Sequence, residues 1–171
     1  MAGLQDKLSV LALFERMQRL PRGRQLFTRI FQRFAPYFRT IPATVETLTP
    51  GRASASMRDT RAVHNHLGTV HAIALCNLAE MVMGLVAEAT VPRSHRWIPK
   101  AMQVEYLAKA RGRMHAYATL DAPAAWPDGE ILTVPVEVHD PDGQLVFRAH
   151  IDIWITPVSY THLTLPTIYS V

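Results

Sequence analysis

The chain of 171 residues has a single cysteine, Cys76. No intramolecular disulfide can brace it, and a reducing, cytoplasmic setting is the expectation. The longest apolar stretch is broken by His71, Asn77 and Glu80, so it falls short of the roughly 18 uninterrupted apolar residues of a membrane span. The N-terminus lacks a signal peptide's charged start, long apolar middle and small-residue cleavage site. Internal repeats are missing, and so are an H-E-x-x-H motif, a serine elbow, a phosphate-binding loop and a dinucleotide fingerprint, which removes the usual motif-bearing hydrolases and nucleotide enzymes. His64, His66 and His71 lie close in sequence, but without a Cys pair or a carboxylate at ligand spacing no metal site is expected. What remains, with 49% hydrophobic and 19% charged residues, fits one soluble domain burying about 70% of its unfolded surface.

Positive charge is unevenly placed. Residues 1–40 hold eight Lys or Arg against Asp6 and Glu15, a net of +6, while the remainder carries ten against twelve acids, a net of −2. Within this basic segment Leu4, Leu8, Leu11 and Phe14, then Phe27, Ile30, Phe31 and Phe34, recur at helical spacing, with Pro21 and Gly23 marking a break. The pattern predicts two short amphipathic helices. They are expected to cap the domain with their Arg side chains in water; lying on an anionic membrane surface or guiding an acidic ligand is the less favoured alternative. Nucleic-acid binding is not expected, since the later strands show no basic face with interleaved aromatics.

From residue 41 the pattern changes to strands, near Thr44 to Leu48, Arg52 to Arg58, Trp97 to Leu107, Arg113 to Leu120, Leu132 to His139 and Leu145 to Ile155. Ala53, Ala55 and Met57 alternate with Ser54 and Ser56, and Leu145, Phe147, Ala149, Ile151, Ile153 and Ile155 form one apolar face. Between the second and third strands a nearly all-apolar helix is expected from about Val70 to Glu88. One buried helix wrapped by an antiparallel sheet is an α+β architecture. The domain is expected to span residues 41–157. The final fourteen residues, Val158 to Val171, carry no charge apart from a possible one on His162, and resemble the translation of a sequencing adapter. They are expected to be an artefactual tail outside the functional protein, with Pro157 at the margin.

The informative residue is Glu80, a carboxylate in that apolar helix. A carboxyl placed so is either paired structurally or held for acid-base or nucleophilic work. Gly68 and Thr69 precede the helix, and Thr69 is a candidate N-cap that would leave the first-turn N–H groups free to receive an oxyanion. Asn65 and His71 flank that start with side-chain donors. His71 and Glu80 are nine residues apart, close to half a turn out of phase, so a site using both needs a second copy of the chain. Cys76 shares a face with Glu80 and is expected to act as a small hydrophobe.

The spacing of Asn65, His71 and Glu80, with G-T-V-H-A at the helix start, resembles hotdog-fold acyl-CoA thioesterases of the phenylacetate-pathway type. The stretch from about Ala43 to Ile155 is similar to an uncharacterised-domain branch of that superfamily. The resemblance implies a hotdog fold and hydrolysis of small or medium acyl-CoA thioesters by a homodimer or dimer of dimers. No cofactor is implied beyond the coenzyme A of the substrate. It carries Asn65, His71 and Ala72 over as carbonyl-holding positions and Glu80, from the partner subunit, as general base or nucleophile. Ala72 stands where relatives have Gly, and Glu80 where many have Asp. Gly68 and Thr69, with Lys100, Lys109, Arg111 and Arg113 near where relatives receive coenzyme A phosphates, are the implied substrate contacts. A hotdog module that binds acyl-CoA or acyl carrier without turnover is the alternative.

Overall fold

The computed structural model describes residues 9–158. Leu4 and Leu8, and all of the tail beyond Val158, lie outside the described residues. Helix α1 (Val10–Met17) begins where Ser9 Oγ accepts from the Ala12 N–H at 3.1 Å. Helix α2 (Gly23–Phe34) follows a tight turn. A Cβ on Gly23 would lie 1.6 Å from the Met17 carbonyl oxygen, so only glycine permits this junction. A 3-10 turn over Pro36–Thr40 leads into the sheet.

Six strands form one antiparallel sheet: β1 (Ala43–Thr49), β2 (Arg52–Met57), β3 (His95–Tyr106), β4 (Met114–Thr119), β5 (Glu130–His139) and β6 (Leu145–Pro157), in the order β1-β2-β4-β5-β6-β3. Helix α3 (Ala72–Thr90) packs against β1, β2, β4 and β5. Its nineteen residues are long and apolar enough to cross a membrane, but about two thirds of them are buried inside this protein. A helix apolar nearly all round is what a core position demands. The core joins Leu78, Met81, Val82 and Leu85 of α3 to Met57, Met114, Val136, Ile151 and Ile153 of the sheet.

Ser54 and Ser56 are buried, at 4% and 2% exposure, as are Ala53, Ala55 and Met57 with which they alternate. Ser54 shares a hydrogen bond with Thr47, and both serines sit across from large partners, Tyr117 and His115, on β4. An inner strand with small residues is shielded on both faces. The last strand runs on to Pro157, paired with His95, and the Val158 N–H donates to the Ser94 carbonyl at 2.8 Å. Both residues therefore belong to the fold. Finally, α3 begins at Ala72 and ends at Thr90, two residues later at each end than the apolar pattern suggested.

Candidate active site

The segment before α3 is a knotted loop whose own polar groups hold it. Asn65 is its centre: Oδ1 accepts from the N–H groups of Leu67 at 2.9 Å and Thr69 at 3.2 Å, and Nδ2 donates to Thr69 Oγ1 at 2.9 Å. This is the local side-chain-to-backbone bonding that Asn favours in turns. Gly68 completes it with a φ of +70°, a conformation natural to glycine. Thr69 is buried and spent on Asn65, so it is not the N-cap. His71 is. Its Nδ1 accepts from the Ile73 N–H at 3.1 Å, while its own N–H donates to the Val63 carbonyl at 2.8 Å. An imidazole accepting at Nδ1 carries its proton on Nε2, so His71 offers an outward Nε2–H donor. The Ala72 N–H, next along, has no partner among the described residues. Two adjacent residues at the start of α3 thus each keep a free donor, where the helix dipole also favours negative charge.

A carboxylate that sequence reading passed over bolts this loop down. Asp59, just after β2, pairs through Oδ1 with His64 Nε2 and through Oδ2 with the Gly112 N–H at 2.7 Å. Burial pushes its carboxyl up, but the bonds from His64 and Gly112, with the charges of His64 and Arg111, outweigh it and hold Asp59 below the ordinary value. Gly112 has a φ of +77°, and a Cβ there would lie 2.7 Å from Pro141. The five-residue step from Asp59 to His64 was a legible signal, though the bond to Gly112 was not.

Glu80 lies elsewhere. It is half-buried in the wall of a cavity of about 1020 Å³, and among the described residues it has no hydrogen-bond or ion-pair partner. The cavity is roofed by Phe27, Ile30, Phe31 and Phe34 of α2 and floored by Met83 and Gly84 of α3, with Trp97 of β3 at one side. Rings of Phe14, Phe27, Phe31 and Phe38 run in series, 5.0 to 6.3 Å between neighbours. Glu88, farther along α3, accepts from Trp97 Nε1 at 3.1 Å, and burial raises its carboxyl despite that bond. Glu80 is therefore not sunk in the protein core, as its apolar sequence neighbours suggested, but faces an apolar hollow made by the N-terminal helices.

His71 lines a different hollow, about 190 Å³, with His64, Thr40, Asn77 and Tyr37; Tyr37 also lines the Glu80 cavity. Asn77 is another residue the sequence flagged without a role. Its Nδ2 donates to Thr40 Oγ1 at 2.9 Å, and its buried Oδ1 has no partner. Cys76 is half-buried and within 3.4 Å of the Tyr106 hydroxyl, so it is a polar partner rather than a plain hydrophobe. That contact, then burial, pushes Tyr106 up to about 12. The basic residues are dispersed. Lys100 stands at a bulge on β3 with its ammonium 5.8 Å from the Trp154 ring centre. Lys109 and Arg111 are in the β3–β4 loop, and Arg113 lines a third hollow beside Arg29 and Arg58.

A six-stranded antiparallel sheet enclosing one long helix, with donors at that helix's start and a carboxylate two turns along it, defines a hotdog-fold protein. Solved structures agree in fold. A Pseudomonas aeruginosa protein of unknown function, described as a probable thioesterase, is 21% identical with a TM-score of 0.70, over 81% of this chain and 97% of that one. A Haemophilus influenzae thioesterase is 13% identical with a TM-score of 0.63, over 74% and 86%. The structural-genomics protein APC5556 is similar in sequence as well, 39% identical with a TM-score of 0.77, over 87% of this chain and 99% of that one. The chain belongs to the family described as Domain of unknown function (DUF4442), whose model matches residues 23–155 and so includes α2. No curated protein matches the sequence.

Proposed function

We propose that the protein is a cytoplasmic acyl-CoA thioesterase acting on small or medium acyl chains, and that it works as a homodimer or a dimer of dimers. The observation that carries this reading is the unpaired Glu80 carboxylate in the wall of a 1020 Å³ apolar cavity. An acyl chain would occupy the hollow roofed by α2. Its thioester carbonyl would rest on the His71 Nε2–H and the Ala72 N–H, with Asn65 keeping the loop in shape. Because His71 and Glu80 of one chain line separate hollows, the carboxylate completing the site would come from the partner copy. Glu80 would take a proton from water as the oxygen attacks the carbonyl carbon, and the two donors would hold the resulting oxyanion. Collapse breaks the carbon–sulfur bond, the thiolate recovers the proton from Glu80, and a carboxylic acid and coenzyme A leave. Direct attack by the carboxylate is the variant of this scheme, with water then hydrolysing the mixed anhydride.

Lys100, Lys109 and Arg111, on or beside β3, belong to this proposal as contacts for the coenzyme A moiety, and no further cofactor is invoked. Gly68 and Thr69 serve it as parts of the loop. The test is a screen of purified protein against acyl-CoA esters with detection of released thiol. Glu80→Gln keeps the shape and loses the base, so turnover should fall by about a hundredfold or more. Wild-type turnover in that variant would sink the assignment. Acyl-CoA binding without turnover in either protein would favour a non-catalytic acyl-CoA or acyl-carrier module.

A further inference from the structure

Helix α2 has two working faces. Its apolar face roofs the Glu80 cavity, while its polar face, through Gln25, Arg29 and Gln32, forms one wall of a hollow of about 480 Å³. Thr44 of β1, Arg58 after β2 and Arg113 before β4 complete the opposite side. The wall is fixed in place by Thr28, whose hydroxyl donates to the Arg24 carbonyl at 2.7 Å and accepts from the Val45 N–H at 2.9 Å. Three arginines from three separate parts of the chain thus line one concavity. No Asp or Glu lines it, and none of the three arginines is in an ion pair among the described residues.

Three arginines lining one hollow with no acidic partner give it a positive potential that favours an anion. The planar fork of Arg matches the oxygens of phosphate, and charge-assisted bonds of this kind are the strong ones. Arg113 uses one nitrogen on Ser56 Oγ at 3.4 Å, and Gln32 Nε2 is taken by the Phe38 carbonyl at 2.9 Å. The other guanidinium nitrogens of Arg113 and all those of Arg29 and Arg58 have no hydrogen-bond partner among the described residues. A single carboxylate would balance one charge of three, whereas a phosphate monoester carries close to two and a pyrophosphate more.

We infer that this hollow is a binding site for a phosphate ester or pyrophosphate, held by Arg29, Arg58 and Arg113. The site lies across α2 from the Glu80 cavity, and it stands whether or not the protein hydrolyses thioesters. Its phosphate can come from coenzyme A or from a free phosphorylated compound.

The test is calorimetric titration of the full chain with inorganic pyrophosphate at low salt, then with coenzyme A in competition. Pyrophosphate should bind, and binding should weaken as salt rises. Arg58→Gln and Arg113→Gln should each weaken it about tenfold or more, since each removes a charge-assisted contact. Arg96→Gln is the control: Arg96 sits on β3, bonded to Thr156 at 3.2 Å, and its loss should leave pyrophosphate affinity unchanged. The substituted arginines are exposed, so thermal melts should match wild type. Displacement by coenzyme A would support the site and assign its phosphate to that molecule; undiminished pyrophosphate binding in the presence of coenzyme A would support a free phosphorylated ligand. Absence of pyrophosphate binding at low salt, or equal binding by the Arg58→Gln, Arg113→Gln double variant, would overturn the proposal. So would an equal loss in the Arg96→Gln control.

Discussion

Asn65 and His71 show how a residue type can announce a site while leaving its job undecided. Both carry donors, and both spend part of that capacity locally: Asn65 closes its own turn, and His71 caps the helix it was expected merely to flank. What His71 keeps is Nε2–H, because the cap occupies Nδ1. Asp59 governs this arrangement from below. Its folded carboxyl is held under its ordinary value, so its contribution to stability is present above the unfolded value of about 3.9 and is lost as pH falls through the folded value. Asp59→Asn should therefore melt about 2–6 °C below wild type at pH 7, the shift expected of about 1–2 kcal/mol in a domain of this size. The gap should close as the buffer is taken well below pH 4. A gap that stays constant from pH 7 to acid, followed by calorimetry or circular dichroism, would show that the carboxylate's charge is not what holds the loop.

At the scale of elements, periodicity revealed the strands and two basic helices, because each buries one face and repeats its apolar residues accordingly, while a nearly unbroken apolar run revealed the core helix. It misplaced the ends of α3 by two residues, since the cap is a histidine ring rather than the threonine hydroxyl that sequence preference suggests. It also could not show what α2 covers. Phe27, Ile30, Phe31 and Phe34 read as an ordinary apolar stripe, yet together they roof the cavity containing Glu80. The α1–α2 junction that sets this roof depends on Gly23. Gly23→Ala would drive a methyl carbon into the Met17 carbonyl, 1.6 Å from the oxygen, so the two helices must separate. We expect a loss of about 2 kcal/mol or more and faster proteolysis within residues 9–34, with the sheet intact. An unchanged melting temperature would mean that the junction tolerates a side chain at this position.

On the scale of the whole molecule, β3 is a twelve-residue strand at the edge of the sheet. An edge of that length, with Ile98 about half exposed on it, is a template for pairing with another chain. The proposed shared site gives such an assembly a chemical consequence that a mixing experiment can read. Glu80→Gln and His71→Ala should each be poorly active alone. Mixed in equal amounts and allowed to exchange subunits, they should recover about a quarter of wild-type turnover, because half the dimers are mixed and each mixed dimer has one intact site. Recovery no greater than the sum of the two variants would place both residues in one chain's site, or in none.

The sequence by itself determined the α+β class, the core helix, the succession of strands and the choice of Glu80 and His71 as the residues to ask about. These follow from burial, which writes a period of 2 or 3.6 along the chain, and from the rarity of a carboxylate in an apolar helix. Only the tertiary structure decided which hollow each residue lines and that Asp59 ties His64 to Gly112. It alone brought Arg29, Arg58 and Arg113 together from positions as far as 84 residues apart. Those relations are set by how the loops close and how α2 lies on β1, and contacts between residues distant along the chain leave no period in it to read.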